Sequence, residues 1–240
     1  MPDQRRHRGP HPEDRRLFAA ERVPELRVAV GHLAWLLERD YALPSALKLV
    51  GDRFQLEDRQ RLALMRSACT PRQRWQRLAR RVEPAQLAGR RVLVDGYNLL
   101  TTLEAALAGG VVLVGQDGSY RDLASMHGTY RRVEETRPAL ELAGQWFVRQ
   151  SVTAMHWLFD APVSNSGRLK QLVEALGRER GWPWSAELSA NPDGLLIESE
   201  DVIATADSAV LDRCRQWTPV AAAIVSEEIP TAWVLDLRDA

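Results

Sequence analysis

Short apolar segments that end in an acidic side chain are the feature of this chain that most restricts its fold. The sequences "VLVD", "WLFD" and "VIATAD" end at Asp95, Asp160 and Asp207, and each is mostly apolar before the carboxylate. Strands without polar alternation are typical of a parallel sheet that helices cover on both faces. Helix-like segments lie between them, so the sequence predicts a doubly wound, mainly parallel α/β domain over residues 89–240.

Other segments of this region predict further elements of the same domain. "VVLVGQDGSYRD" predicts a short strand with a turn at Asp117-Gly118. "NLLTTLEAALAGG" and "SNSGRLKQLVEALGRER" predict helices, as do residues 134–151. Three more strands are predicted by "WPWSAELS", "VAAAIVS" and "AWVLDL". Trp182 and Trp184 are interpreted as core residues on one face of a strand.

The first part of the chain has a different pattern. In "LRVAVGHLAWLLERDY" apolar residues recur at three- and four-residue steps, which is one face of a helix. Thr70-Pro71 has the composition of a helix start. We therefore predict a small all-α region over residues 16–88. The preceding "MPDQRRHRGPHPEDR" predicts a disordered basic arm over residues 1–15.

Charge is divided unevenly along the chain, although the formal net charge is zero. Residues 1–90 contain 19 Lys and Arg against 11 Asp and Glu, and residues 91–240 contain 13 against 21. One interpretation is that the basic part meets phosphate and the acidic part holds cations. The alternatives are that the two parts face one another, or that arginine is plentiful through genome composition.

Cysteine usage and hydropathy indicate the compartment. Cys69 and Cys214 are the only cysteines, and neither has a metal-binding spacing, so no disulfide partner is expected. No apolar run approaches the roughly 20 residues that span a bilayer, and no signal-peptide pattern is visible. We expect a cytoplasmic protein without a membrane partner. The sequence sets no oligomeric state.

The three strand-end aspartates predict a metal site. The carboxyl ends of parallel strands meet at one edge of the sheet, so Asp95, Asp160 and Asp207 are expected to converge there. Carboxylates that close repel one another unless a cation lies between them, and Mg²⁺ or Mn²⁺ is the usual choice for oxygen ligands. The alternative for each aspartate is that it caps the helix that follows.

Further polar residues near these segments are candidates for the same site. Glu104 stacks above Leu100 at the margin of an apolar helix face, where a cation would supply a partner, although a solvated flank is the alternative. Asp122 and Asp201 are interpreted as surface residues. Asn98 is a candidate to orient Asp95, to contact a ligand or to cap the helix. Small polar residues before the next helix suit a phosphate oxygen or ordinary capping, namely Ser164, Asn165 and Ser166.

Several common catalytic motifs are not in the sequence. There is no GxGxxG, GxxxxGK[ST], GxSxG or HExxH pattern, so dinucleotide, P-loop, serine-hydrolase and zinc-protease sites are not predicted.

The phrases "LVDGYNLL", "FDAPVSNSG" and "VIATADSAVLDR" resemble the PIN-like and NYN group of metal-dependent ribonuclease domains. The whole chain is similar to the prokaryotic proteins filed as domain of unknown function 434, in which a short helical region precedes such a domain. The resemblance implies that Asp95, Asp160 and Asp207 are site acids, with Glu104 as the helix acid. The last phrase adds Thr205 and Ser208 as candidate substrate ligands. The family pattern has a further helix acid before the last motif, with no clear counterpart in the sequence.

These expectations combine into a Mg²⁺- or Mn²⁺-dependent phosphodiesterase that acts on RNA. Arginines of the helical region would follow the RNA backbone: Arg72, Arg74, Arg77, Arg80 and Arg81. The alternative is a catalytically inactive PIN-like module that binds RNA or a nucleotide. A phosphatase or phosphotransferase is a third possibility, disfavoured because "LVDGYN" has no DxD pair.

Overall fold

A computed structural model describes residues 7–124 and 130–238 of the chain. None of the helices in these ranges is long and apolar enough to cross a membrane. The helices are α1 (Asp14–Leu17), α2 (Val23–Leu37), α3 (Leu43–Arg53), α4 (Asp58–Ser67), α5 (Pro71–Ala79), α6 (Gly96–Leu107), α7 (Thr136–Arg149), α8 (Ser166–Arg180), α9 (Pro192–Glu198), α10 (Ser208–Leu211) and α11 (Val220–Glu228). The strands are β1 (Arg91–Asp95), β2 (Val111–Val114), β3 (Tyr120–Asp122), β4 (Ala154–Asp160), β5 (Trp184–Ser189), β6 (Val202–Ala204), β7 (Trp217–Thr218) and β8 (Trp233–Asp236).

The larger sheet has five strands in the order β5-β4-β1-β6-β7, and every neighbouring pair is parallel. β1 lies at its centre and is buried over Val92, Leu93 and Val94. Helices connect these strands, because parallel neighbours need a crossover. The predicted mixed α/β architecture with a mainly parallel sheet is therefore confirmed.

A second sheet has three strands in the order β3-β2-β8. β2 and β3 form an antiparallel hairpin, and β8 pairs parallel to β2 on its other side. Gly118 adopts a φ of 77° in the connecting turn, a conformation that glycine adopts without steric cost. The predicted strand and the turn at Asp117-Gly118 are confirmed.

The N-terminal helices cover one face of this second sheet. Leu26, Leu33 and Leu64 of α2 and α4 are fully buried in one cluster with Leu113 of β2 and Leu235 of β8. Each such side chain contributes about 1.5–3 kcal/mol when it leaves water. The predicted helical region is confirmed, and its core is continuous with that of the second sheet.

One predicted strand is wrong, because "VAAAIVS" forms most of helix α11. Its buried residues are Val220, Ala221, Ile224 and Val225, which recur at helical spacing, and α11 packs against α6 and α7. A short apolar run does not distinguish a strand from a buried helix by its period. Three consecutive alanines, the best helix formers, favour the helix here.

Part of the predicted disordered arm contacts the body of the protein. Asp14 is fully buried and forms an ion pair with Arg59, whose Nη2 donates to Asp14 Oδ2 at 2.8 Å. Arg8 Nε lies 2.6 Å from Glu104 Oε2 of α6. Residues 7–15 therefore pack against α4 and α6, and residues 1–6 lie outside the described part.

Candidate functional site

The centre of the five-stranded sheet is a topological switch point. After β1 the chain adds β4 and β5 on one side, and it then crosses over to add β6 and β7 on the other. Connections that leave in opposite directions open a crevice at the carboxyl ends of the central strands, where ligands bind in folds of this kind. Asp95 is the last residue of β1, and Asp160 is the last residue of β4.

Register places these acids on the same face of the sheet. Asp95 pairs with Leu158, so Asp160 lies two residues, about 6.6 Å, further along the neighbouring strand on the same side. Leu93 and Leu158 pack on this side against Leu196 of α9 and Val210 of α10. The acids therefore emerge beside the starts of these two short helices.

Asp95 is held by the segment that follows β6. Thr205 Oγ1 donates to Asp95 Oδ2 at 2.7 Å, and the Asn98 N–H donates to Asp95 Oδ1 at 3.4 Å. The side-chain oxygen of Asn98 accepts from the N–H of Ala206 at 2.8 Å. Thr205 and Asn98 thus tie the end of β1 to the neighbouring loop, which fixes the direction of the Asp95 carboxylate.

Asp207 is fixed by the helix that it caps. Its Oδ1 accepts from the N–H groups of Ala209 at 2.8 Å and Val210 at 3.1 Å, and its own N–H donates to Thr205 Oγ1 at 3.0 Å. Asp95 is likewise the cap of α6. The capping interpretation therefore holds for both aspartates. Within the described residues, Asp207 Oδ2 accepts no hydrogen bond, which leaves this oxygen for a ligand.

A fourth acid, Asp193, joins the group although sequence reasoning missed it. It lies in the first turn of α9, which packs against β1 and β4 and is capped by the Asn191 side chain. Burial raises the pKa of Asp193, and the charges of Asp207 and Asp160 raise it further. Asp193 is a helix acid between the second and third aspartate segments, the position for which the sequence offered no clear counterpart.

The group carries uncompensated negative charge. Burial is the largest cause that raises the pKa of Asp95 to about 7; the Thr205 hydrogen bond opposes it, while Asp207 and Asp193 add to it. Burial also raises the pKa of Asp160. Among the described residues, no arginine, lysine or histidine pairs with any of the four aspartates. Nor do three metal-ligating side chains there already converge on one point. A cation would have to draw the carboxylates together.

Glu104 belongs to a different cluster. It lies nine residues beyond Asp95 along α6, roughly 13 Å along the helix axis. Its fully buried carboxylate accepts from Tyr130 and from Thr136 Oγ1 at 2.6 Å, and Arg8 supplies the opposite charge. Burial raises the pKa of Glu104, and Arg8 opposes this. The structure thus separates Glu104 from the aspartates, and its partner is an arginine 96 residues away.

The other predicted ligands are distributed around the site. Ser208 begins α10, and its Oγ accepts from Arg121 Nη2 at 3.3 Å. Ser166 is buried, and its Oγ donates to the Ala161 carbonyl at 3.4 Å. Ser164 and Asn165 are exposed in the loop between β4 and α8. Of the candidate ligands, Thr205 and Asn98 contact the aspartates directly.

A buried network of ion pairs fixes the segment that carries Asp207. Arg77 of α5 donates to Asp117 at 2.6 Å and to Asp212 at 2.7 Å, and Arg121 Nη2 donates to Asp117 Oδ2 at 2.8 Å. Arg121 Nε also donates to the carbonyl of Ala206 at 2.7 Å. Arg121 is therefore a positioning residue, and through this network α5 is connected to the loop that carries Asp207.

This network corrects part of the prediction that the five arginines at positions 72–81 follow an RNA backbone. Arg77 is 1% exposed, so its side chain does not face solvent. Arg80 donates to the Asp212 carbonyl at 2.7 Å, and Arg81 pairs with Glu83. Arg72 and Arg74 remain exposed. The five arginines have the sequence pattern of a basic surface, and nothing in that pattern distinguishes the buried Arg77 from its neighbours.

Two more acids, Asp122 and Asp201, lie outside the aspartate group. Asp122 was interpreted as a surface residue, but it is 6% exposed, and its Oδ2 accepts from Thr101 at 2.9 Å and from Thr102 at 3.3 Å. That prediction is wrong, because two threonines of α6 satisfy the buried carboxylate. Asp201 lies at the opposite edge of the sheet, before β6, with Arg91 at 3.5 Å.

Together these features define an α/β protein with four aspartates at the switch point of a parallel sheet, preceded by a helical region. The chain belongs to the family described as "Domain of unknown function (DUF5616)", which matches residues 84–223. Residues 25–80 match "Protein of unknown function (DUF434)", which supports that part of the expected resemblance. "Uncharacterized protein MJ0935" of Methanocaldococcus jannaschii is 26% identical over 180 residues, 74% of this chain and 84% of that protein. No solved structure matches.

Proposed function

We propose that the protein is a Mg²⁺- or Mn²⁺-dependent phosphodiesterase acting on RNA, with a PIN/NYN-like site at the switch point. The observation that supports this most strongly is the group of four aspartates, Asp95, Asp160, Asp193 and Asp207. Three of them have raised pKa values, and none has a cationic partner among the described residues. Asp95, Asp160 and Asp207 are half-buried and Asp193 is exposed. Carboxylates grouped in this way without a counter-charge repel one another, and a divalent cation removes that repulsion.

The four carboxylates would hold the cation, because hard cations of this kind take oxygen ligands. When bound, the cation supplies a water of lowered pKa and offsets charge on the phosphate. Thr205 keeps Asp95 oriented through its 2.7 Å hydrogen bond. The α10 cap and Arg121 do the same for Asp207 and its loop.

A cleft of about 590 Å³ lies between the helical region and α10, the helix that Asp207 caps. Arg72 and Gln76 line it and supply N–H donors of the kind that contact phosphate oxygens. The carboxylates of Glu38, Asp40 and Asp212 line it too, and Gln73 Nε2 already donates to Asp212 at 2.8 Å. The charge of the cleft is therefore mixed, and the proposal rests on the four aspartates rather than on this cleft.

An RNA cleavage assay tests the proposal. We expect the purified full chain to cut short single-stranded or hairpin RNAs with Mn²⁺ and to stop in EDTA. Asp95→Asn and Asp193→Asn should each slow cleavage about 10²-fold or more, because each removes a ligand of the cation that would offset charge on the reacting phosphate. Asp201→Asn is the matched control, since Asp201 lies at the opposite edge of the sheet. Uncut RNA with Mn²⁺, or equal rates in all variants, would refute the proposal.

A second candidate is a module that binds RNA or a nucleotide without cleaving it. It is favoured by the finding that, within the described residues, no three ligating side chains are already assembled around one point. Calorimetry separates the two functions. The phosphodiesterase requires Mn²⁺ binding that Asp95→Asn abolishes, whereas the module predicts no Mn²⁺ binding and equal RNA affinity with and without EDTA.

A further inference from the structure

A basic cleft lies at the start of α8, on the other side of the loop that follows Asp160. Its volume is about 370 Å³, and Arg131, Arg132 and Arg168 line it together with Tyr130 and Asn165. Two leucines of α8 complete the lining, and no carboxylate contributes to it. Three positive charges therefore face one small cavity, which is an arrangement that repels itself without an anion.

These three arginines have no acidic partner among the described residues. Other arginines nearby do: Arg137 pairs with Glu141 and Glu179, and Arg180 pairs with Glu141. The cleft arginines are exposed and reach it from two separate segments, residues 131–132 and α8. Their guanidinium groups therefore offer several N–H donors that no described protein group uses.

The two segments are fixed relative to each other by hydrogen bonds. Asn165 Nδ2 donates to the Tyr130 carbonyl at 3.0 Å, and the Tyr130 N–H donates to the Ser164 carbonyl at 3.2 Å. Arg8 Nη2 donates to the Arg131 carbonyl at 3.4 Å. The cleft is thus largely formed before any ligand arrives, which reduces the ordering cost of binding.

The position of Arg168 disfavours a purely structural role. It lies in the first turn of the 15-residue helix α8, where the helix dipole is unfavourable to a positive charge. The Asn165 side chain does not cap this helix. The Arg168 side chain therefore carries its charge at a helix end that offers it no electrostatic stabilisation.

We propose that this cleft binds a terminal phosphate monoester of the RNA. This deepens the proposed function and rests on it for the identity of the rest of the substrate. A monoester carries a charge of about −1.5 to −2 and three strong acceptor oxygens, so it matches three arginines better than a singly charged internal phosphodiester. Asp160 closes β4 five residues before Asn165, so the cleft and the aspartates share the carboxyl edge of the sheet.

Equilibrium binding of internally labelled RNA in EDTA tests the inference without any cleavage. Three forms of one short RNA are compared: a 5′-phosphate, a 3′-phosphate, and hydroxyls at both ends. The variants are Arg168→Gln and, as a matched control, Arg178→Gln. Arg178 is an exposed arginine of the same helix, ten residues away, without a described partner.

We expect the wild type to bind one phosphorylated form about tenfold more tightly than the hydroxyl form, the effect of a few charge-assisted hydrogen bonds in a partly exposed site. Arg168→Gln should remove most of this advantage, and Arg178→Gln should keep it. Equal binding of all three RNAs, or an equal loss in both variants, would overturn the inference. A protein that passes this test and fails the cleavage assay would retain the cleft and lose the proposed activity.

Discussion

Replacing Asp95 by asparagine is expected to stabilise the metal-free protein at pH 8. Burial is the main reason that the pKa of Asp95 rises from its ordinary 3.8 to about 7, with Asp207 and Asp193 adding repulsion. At pH 8 the folded protein must therefore hold a charge that the unfolded chain solvates freely. Asparagine removes the charge and keeps an oxygen that can accept from Thr205.

The magnitude follows from the two pKa values. Each pKa unit is worth about 1.4 kcal/mol, so a rise from 3.8 to about 7 costs about 4 kcal/mol once Asp95 is ionised in both states. Below about pH 4 the group is protonated in both states, and the cost is absent. As the pH rises from about 4 to about 7, the unfolded state ionises first and the wild type loses stability. At pH 5 the advantage of Asp95→Asn should be less than half of its value at pH 8.

Urea unfolding in EDTA at pH 5 and pH 8 measures this advantage for Asp95→Asn against the wild type. Asp201→Asn serves as the control, because its carboxylate faces Arg91 at the other edge of the sheet. Adding Mn²⁺ at pH 8 should reverse the order, since only the wild type gains from the ion. The reasoning is refuted if Asp95→Asn is no more stable than the wild type at pH 8, or if its advantage is independent of pH.

Two further substitutions test the support of the site. Arg77→Met should lower the free energy of unfolding by about 3–5 kcal/mol, because it removes one of the two arginines that neutralise the buried Asp117. Arg72→Met is the control and should leave thermal unfolding unchanged. Equal melting temperatures of the two variants would contradict the role of the network. Gly96→Ala should cost about 1–3 kcal/mol and reduce Mn²⁺ affinity, because a Cβ there would lie 2.2 Å from Phe159, directly after Asp95 of the proposed metal site. Unchanged unfolding and calorimetry would show that the contact relaxes freely.

Strands β1, β4 and β6 of the larger sheet were predictable because each contains a short apolar run between turn or helix signals, whereas β7, which is only Trp217–Thr218, was not predicted. "RVLVD" is predicted and observed as β1, and "AMHWLFD" is observed as β4. "VAAAIVS" has the same local appearance and forms a helix, because its neighbours in space are α6 and α7. The division into two sheets depends on the packing of β2 and β8 against the N-terminal helices, which is a long-range interaction.

The site was predictable only where strand ends mark it. Asp95 and Asp160 end strands, whereas Asp193 follows Asn191-Pro192 in a segment that has the composition of a turn. Glu104 is buried as its helical position indicates, but its counter-charge comes from Arg8, far away in the sequence. Arg77 has the spacing of a surface arginine, and only the buried Asp117 across the interface explains its burial. Long-range charge pairing is not encoded in local pattern.

Crystals grown with Mn²⁺ and measured at an X-ray energy where manganese scatters anomalously test the central claim most directly. We expect an anomalous peak at the carboxyl edge of β1 and β4, within about 2.0–2.6 Å of carboxylate oxygens from Asp95 and at least one of Asp160, Asp193 and Asp207. The same crystals of Asp95→Asn should show no peak. A wild-type map without density there, or with manganese bound only elsewhere, would contradict the claim that these aspartates share a cation.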